Sequence, residues 1–126
     1  MSILHYTALK NSKETATILI SHGADINKKD KCGDTALHYA AIHNKYEIAE
    51  LLISHGANIN EKDKDGDTAL HYAAWFNRKE IAELLISHGA NINEKDNAGK
   101  TALYYAACEY SGETAEILIS HGANYN

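Results

Sequence analysis

Long apolar runs are missing from this chain of 126 residues, although 44% of its residues are hydrophobic. No run approaches the roughly 20 residues that a helix needs to cross a bilayer. The first ten residues, MSILHYTALK, also lack the basic, apolar and small-residue segments of a secretory signal. The composition therefore predicts one soluble domain, 1–126, that has no membrane partner and is intracellular, in the cytoplasm.

Cysteine and clustered basic charge are scarce as well. The chain has two cysteines, Cys32 and Cys108, and this low number indicates a reducing compartment in which thiols stay free. Its 12 Lys and Arg residues are scattered through a chain of net charge -5. A surface that binds nucleic acid needs basic residues grouped together, so we expect no nucleic-acid partner.

Enzyme motifs are absent too. The sequence contains no G-x-S-x-G, H-E-x-x-H, P-loop or G-x-G-x-x-G, and neither cysteine has an evident base beside it. The stretch DKDGD at 63–67 alternates acidic residues like a calcium loop, but its glycine is at loop position four instead of six, and Ala74 takes the place of the bidentate Glu. We expect no catalytic residue, no metal and no cofactor.

The chain is instead rich in internal repetition. The segment DTALHYAA occurs at 34–41 and, 33 residues later, at 67–74, and related segments begin at Ser2 and Thr101. A second segment of the form EIAELLISHGANIN begins at 14, 47, 80 and 113. These matches predict four repeats, the first incomplete, at approximately 1–29, 30–62, 63–95 and 96–126.

Each repeat has the pattern of two short helices. Thr35, Thr68 and Thr101 are placed to cap the first helix, and the glycine of each SHG triplet favours the end of the second. Two pairs resemble capping boxes at the start of the second helix: Asn44 with Glu47, and Asn77 with Glu80. The polar segment between Gly56 and Thr68 predicts an extended β-hairpin that projects as a finger, with Asp63 and Gly66 at its turn.

Eight histidines raise the hypothesis of a metal site. The four in the SHG triplets should lie about 8–10 Å apart, the packing distance of helices, whereas zinc ligands need bonds of about 2 Å. We expect each of these four to close the C-terminus of its helix. His5, His38 and His71 are expected to bond to the backbone or to the capping threonine.

A unit of hairpin, helix, turn and helix with TALHYAA and HGANIN at its ends closely resembles the ankyrin repeat, over essentially the whole chain. The tetratricopeptide repeat has a similar period but no finger, and its Trp, Gly and Tyr pattern is absent. Two sets of positions depart from the family: Ala36, Ala69 and Ala102 replace its usual Pro, and Tyr39, Tyr72 and Tyr105 replace a common aliphatic residue. If buried, these tyrosine hydroxyls need partners.

The resemblance implies an all-α repeat solenoid of antiparallel helix pairs, with a concave face formed by the fingers and the first helices. Positions that differ among the four copies line this face in the ankyrin family, where partners usually bind. The expected partner-binding residues are Lys31, Cys32, Asp34, Ile42, His43, Lys64, Asp65, Asp67, Trp75, Phe76, Asn97, Ala98, Lys100, Cys108, Glu109 and Tyr110.

Trp75 and Phe76 are the only Trp and the only Phe of the chain, and both fall in this variable set. Aromatic residues dominate binding hot spots, so the pair is a candidate anchor. The alternative is that exposed positions vary freely, since singly exposed apolar residues are common.

The sequence thus predicts a non-catalytic protein–protein interaction module that binds an unidentified protein through its concave face, as a monomer. The alternative is a scaffold or spacer segment of a longer array, self-associating through uncapped ends. Thr15 and Thr114 replace Ile48 and Ile81 of the inner repeats, which we interpret as weak capping of the end repeats.

Overall fold

Eight short helices alternate with turns along the chain. The computed structural model describes residues 2–10, 12–109 and 111–125. The helices within this described part are α1 (Ile3–Lys10), α2 (Lys13–Ser21), α3 (Ala36–Ile42), α4 (Tyr46–Ser54), α5 (Ala69–Trp75), α6 (Lys79–Ser87), α7 (Ala102–Cys108) and α8 (Gly112–Ser120). None of them is long and apolar enough to span a membrane.

The helices form two layers. The first helices α1, α3, α5 and α7 contact one another in chain order, and so do the second helices α2, α4, α6 and α8. Each first helix also packs on the second helix of its own repeat. This linear arrangement confirms the predicted all-α repeat solenoid.

The core lies between the two layers. First helices contribute small residues such as Ala40 and Ala73, both 0% exposed, which let neighbouring helices approach closely. Second helices contribute large ones such as Ile48, Leu52 and Leu85, also 0% exposed. Burying each of these large side chains stabilises the fold by about 1.5–3 kcal/mol.

The predicted threonine caps are confirmed. The Thr68 hydroxyl accepts from the backbone N–H of His71 at 3.4 Å, and the His71 ring Nδ1 accepts from the Thr68 N–H at 3.0 Å. Thr35 and His38 form the same reciprocal pair. Helices α3 and α5 are therefore closed at their N-termini by a histidine version of the capping box, whereas in α7 Thr101 only accepts from the backbone N–H of Tyr104.

The predicted capping boxes of the second helices are wrong. Helices α4 and α6 begin at Tyr46 and Lys79, and their N-cap residues, Lys45 and Arg78, make no side-chain cap hydrogen bond. Asn44 and Asn77 lie one residue earlier, with φ of 58° and 55°. Because Asn tolerates the left-handed conformation, it serves here to reverse the chain between helices.

The predicted closure of the second helices is confirmed. In α4 the His55 ring Nδ1 donates to the Leu51 carbonyl at 3.0 Å, and Gly56 follows with φ of 91°. The Ala57 N–H then bonds to the Leu52 carbonyl at 3.0 Å, which completes a Schellman turn. The other three SHG histidines make the same contact with the carbonyl four residues before them.

The histidines of the first helices join adjacent repeats. The Nε2–H of His38 donates to the Asp67 carbonyl at 2.9 Å, and that of His71 donates to the Lys100 carbonyl at 3.1 Å. Both rings are 1% exposed, and burial lowers the pKa of each below its ordinary value. Each neutral imidazole therefore links a helix N-terminus to the finger of the next repeat.

The fingers are tighter than the expected hairpins. Asp63 Oδ1 accepts from the N–H groups of Asp65 (3.0 Å) and Asp67 (2.9 Å), and the Asp63 N–H donates to the Asp67 carbonyl (2.9 Å). No strand is assigned anywhere in the described residues. Since the aspartate side chain already satisfies the amides of the turn, the finger closes as an Asx-type loop. We call 30–34, 63–67 and 96–100 the fingers of repeats two, three and four.

Neighbouring fingers bond to each other directly. The Lys64 N–H donates to the Cys32 carbonyl at 3.0 Å, and the Asn97 N–H donates to the Asp65 carbonyl at 2.9 Å. Gly66, with φ of 79°, lies at one of these contacts, where a Cβ would stand 2.8 Å from the Asn97 backbone nitrogen. The fingers therefore form a second stack beside the helices.

Candidate functional site

The variable residues predicted to bind a partner fall at two places. Ile42, Trp75 and Cys108 are the last residues of α3, α5 and α7, so they align along the array. His43, Phe76 and Glu109 are the C-caps that follow them. The remaining predicted residues lie in the fingers, except Tyr110, which lies outside the described residues.

Trp75 and Phe76 lie at the centre of the first group. Their side chains are 38% and 41% exposed, and their ring centroids are 6.1 Å apart in a stacked arrangement. Trp75 also stacks on Tyr105 of α7, with 4.6 Å between ring centroids and 9° between planes. We call these three residues the aromatic patch.

Two members of this neighbourhood were missed by the sequence comparison. Tyr105 occupies a position that is Tyr in all four repeats, so it did not stand out as variable. Arg78 lies beyond the compared columns: its guanidinium carbon is 5.7 Å from the Phe76 ring centroid, and its Nη2 donates to the Ile42 carbonyl at 2.9 Å. Arg78 thus ties the aromatic patch to the end of α3.

The finger residues differ in how far they reach solvent. Most of the predicted ones are exposed: Lys31, Cys32, Lys64, Asp65, Asn97 and Ala98. Asp34 and Lys100 are half-buried, and Asp67 is only 5% exposed. The predicted set is therefore partly surface and partly interior to the finger stack.

A pocket of about 420 Å³ opens between the last two fingers and the aromatic patch. We call it the inter-finger pocket. It is lined by Asp65, Asp67, Trp75, Asp96, Asn97, Ala98 and Tyr105. Five of these residues belong to the predicted partner-binding set, so the fold brings the two groups of variable positions together here.

Carboxyl groups of neighbouring fingers face each other. Burial, and then the hydrogen bond and negative charge of Asp96, raise the pKa of Asp67 to about 8. Burial and Asp63 do the same to Asp34, whose pKa is also raised to about 8. Burial alone would raise the pKa of Asp96, but the Tyr105 hydroxyl and backbone N–H groups stabilise its anion and hold it at about 2. Each facing pair thus shares one proton near neutral pH.

The tyrosines that depart from the family pattern supply part of this arrangement. Tyr72 donates its hydroxyl to Asp63, and Tyr105 donates to Asp96. Tyr39 makes the same bond to Asp30. The expectation that these hydroxyls need partners is confirmed.

Four groups of side chains in the described residues resemble metal sites by proximity, and one of them includes two carboxyl groups of the inter-finger pocket. Potential ligand atoms of Asp67, His71 and Asp96 lie within 4.8 Å of one another. Both nitrogens of His71 are already hydrogen-bonded, Nδ1 to Thr68 and Nε2 to the carbonyls of Glu94 and Lys100. The imidazole would have to break the cap and the link to the next finger before it could bind a cation.

A larger hollow of about 590 Å³ lies on the side of the second helices. It is lined by Asn44, Tyr46, Glu80, Glu83, Leu84, Ser87 and His121. None of these belongs to the predicted partner-binding set, although Tyr46 stands where the other copies have Lys13, Lys79 and Gly112. The inter-finger pocket is therefore the better candidate, although it is smaller.

Fold and site together define a linear helical repeat protein. A family model described as ankyrin repeats (3 copies) matches residues 4–96 and again 62–126, so nearly the whole chain is covered. The chain belongs to the ankyrin repeat family, whose repeats are generally protein–protein interaction modules and typically non-catalytic. Comparison with curated proteins found no match.

Proposed function

We propose that this chain is a non-catalytic module that binds a protein partner through its concave face, at the aromatic patch and the adjoining fingers. The supporting observation is the position of the only Trp and the only Phe of the chain. Both are partly exposed at the end of α5, whereas the repeated core is built from aliphatic residues. A large apolar surface is thus open to solvent where the copies differ.

The structure of the patch suits a binding anchor. Trp75 is held against Tyr105 and Phe76, so its ring loses little freedom when a partner covers it. Burial of apolar area contributes about 25 cal/mol per Å², and Trp is among the commonest hot-spot residues. The polar finger tips beside the patch can form the rim that such anchors usually have.

The proposal is tested by replacing both rings. Immobilised wild-type chain and W75A/F76A are used to capture proteins from a cell extract, and bound proteins are compared by mass spectrometry. We expect the variant to lose the specific partners, because truncating a hot-spot residue costs about 2 kcal/mol or more in binding.

The matched control is I18A/Y46A. Ile18 and Tyr46 are 58% and 39% exposed and lie on second helices, Tyr46 in the larger hollow. All variants are first shown to be folded by circular dichroism. Partners retained by W75A/F76A but lost by I18A/Y46A would contradict the proposal and direct attention to the second-helix side.

A second candidate function is a structural segment that self-associates through its ends. At the fourth repeat Tyr104, Ile119 and Tyr125 are 44%, 44% and 70% exposed and line a hollow of about 460 Å³. His71, which corresponds to Tyr104 one repeat earlier, is 1% exposed because α7 and its finger cover it. Sedimentation velocity over a wide concentration range tests this function: self-association that I119K abolishes would support it, and a concentration-independent monomer would contradict it.

A further inference from the structure

The inter-finger pocket combines an aromatic wall with three carboxyl groups. Trp75 and Tyr105 form the wall, and Asp65, Asp67 and Asp96 supply the carboxyl groups. No Lys or Arg is among the described residues that line it. A ligand that enters this pocket meets apolar ring surface and negative charge together.

Asp67 presents an acceptor oxygen to which no N–H or hydroxyl group of the described residues donates. The residue is 5% exposed, and this Oδ1 atom is buried, as is Oδ1 of Asp34, its equivalent one repeat earlier, which lacks such a donor too. A buried acceptor without a donor costs about 1–3 kcal/mol, more when it is charged. A ligand that brings N–H groups to this oxygen would recover that free energy.

Two nearby basic residues, Lys100 and Lys62, are engaged elsewhere. The Lys100 ammonium lies 4.1 Å from the Tyr104 ring centroid, and Lys62 pairs with Glu94 at 3.3 Å. Asp65 makes no side-chain hydrogen bond to the rest of the described chain and is exposed at the pocket rim. The charge of the pocket is therefore left for a ligand to balance.

The same place one repeat earlier is chemically different. There Ile42 replaces Trp75, Cys32 replaces Asp65, Lys64 replaces Asn97 and Asp65 replaces Ala98. Tyr72, Asp34 and Asp63 are the equivalents of Tyr105, Asp67 and Asp96. The pocket between the third and fourth repeats differs by its indole and by Asn97, which takes the place of a lysine. The internal comparison thus indicates that Trp75 and the missing lysine distinguish this pocket, whereas the facing carboxyl pair is common to both places.

A planar cation satisfies these features better than a compact one. A guanidinium group presents several N–H donors in one plane, pairs with carboxylates in bidentate fashion and packs on aromatic rings, whereas an ammonium is a strongly hydrated point charge. We propose that the inter-finger pocket binds the guanidinium group of an arginine side chain of the partner, packed against Trp75 and hydrogen-bonded to Asp65 and Asp67. This inference rests on the proposed protein-binding function and names the chemistry that the partner must present.

The test uses the intact chain and a small probe. The indole N–H of Trp75 gives a single NMR resonance because the chain has one Trp. It is followed during titration with Nα-acetyl-arginine amide, with the lysine analogue, and with the citrulline analogue, which has nearly the same shape but no charge. We expect a saturable shift with the arginine probe, with a Kd on the order of millimolar for so few ligand atoms, and binding at least about tenfold weaker for the other two.

Variants assign the binding to the pocket. D65N should weaken the arginine probe by about fivefold or more, since it removes a negatively charged hydrogen-bond acceptor. D67N should have an effect of similar size, because an amide cannot release the proton that Asp67 shares with Asp96 when the cation binds. E50Q, which removes an exposed carboxylate of α4, is the control and should leave the affinity unchanged. The backbone spectrum of each variant shows whether the fold is retained.

Several results would overturn the inference. They are the absence of a saturable shift, equal affinity for the citrulline or the lysine probe, and equal weakening by E50Q and D65N. Because the probe needs no partner, such a failure leaves the proposed function standing if capture of partners still depends on Trp75 and Phe76. Loss of that dependence would refute the proposed function whether or not the probe binds.

Discussion

Individual carboxyl groups connect neighbouring fingers and make their contact sensitive to pH. In the folded chain the pKa of Asp34 and of Asp67 is raised to about 8 by burial and by the facing aspartate. An unfolded aspartate has a pKa of about 4. The folded state therefore holds two protons that the unfolded state releases between about pH 4 and about pH 8. The stability contributed by these protons is complete below that range and is lost as the pH rises through it.

We predict that D34N/D67N removes this loss. An amide has the shape of the protonated acid, stays neutral, and can donate to Asp63 or Asp96 at every pH. Chemical denaturation followed by circular dichroism should show the wild type losing about 1–3 kcal/mol between pH 5 and pH 9, and the variant losing much less. The variant should be the more stable of the two at pH 9.

A control variant and the stability at acidic pH separate this effect from general charge repulsion. E50Q/E116Q removes two exposed carboxylates of second helices, and it should keep the wild-type slope. Below about pH 6.5 D34N/D67N should lose stability, because the pKa of His38 and of His71 is lowered in the folded state and their protonation favours unfolding. In the wild type the protons of Asp34 and Asp67 oppose this loss down to about pH 4, so its stability should change less over the same range. A D34N/D67N slope equal to that of wild type would show that these carboxyl groups are ionised in the fold.

Two of the glycines in the fingers lie in close contact with the next finger. Gly33 and Gly66 each touch the backbone of the next finger, so that a Cβ would come within 2.9 Å and 2.8 Å of a backbone nitrogen. Gly99 has nearly the same φ, 77° against 79° for Gly66, but nothing lies within 4 Å of its Cβ position. The two kinds of glycine therefore separate backbone strain from packing.

We predict that G66A destabilises the chain more than G99A. Both alanines must adopt the left-handed conformation, which destabilises the fold by about 1–2 kcal/mol. Only G66A also pushes the fourth finger away, which destabilises the fold by about a further 1–3 kcal/mol. Thermal and urea denaturation of the two variants measure the difference directly. Equal destabilisation would mean that the fingers do not pack as closely as described.

Most helices could be predicted from sequence, but the conformation of the turns and fingers that connect them could not. Thr35 and Thr68 identified the first helices because a hydroxyl at the N-cap is a local signal. The error at Asn44 and Asn77 arose because Asn favours both N-caps and left-handed turns, and only the path of the chain between two packed helices selects one of them. The finger was expected as a hairpin for a similar reason: the side-chain bonds of Asp63 replace strand pairing.

In the molecule as a whole, the repeats supply a framework and the contact between two of them supplies the candidate site. Variation among the copies located Trp75 and Phe76 without a structure. It could not locate Tyr105, which is the same in all four repeats yet stacks on Trp75 across the repeat boundary. Nor could it show that Asp67 is buried, since burial depends on the neighbouring finger.

The most direct test of the protein-binding claim is photo-crosslinking from the surface itself. Benzoylphenylalanine replaces Phe76 in one chain and Tyr46, on a second helix, in another, and each is irradiated in cell extract. The account predicts discrete protein adducts from position 76 and none from position 46. Adding excess unmodified chain should suppress these adducts, whereas adding excess W75A/F76A should not. Adducts from position 46 and none from position 76 would contradict it.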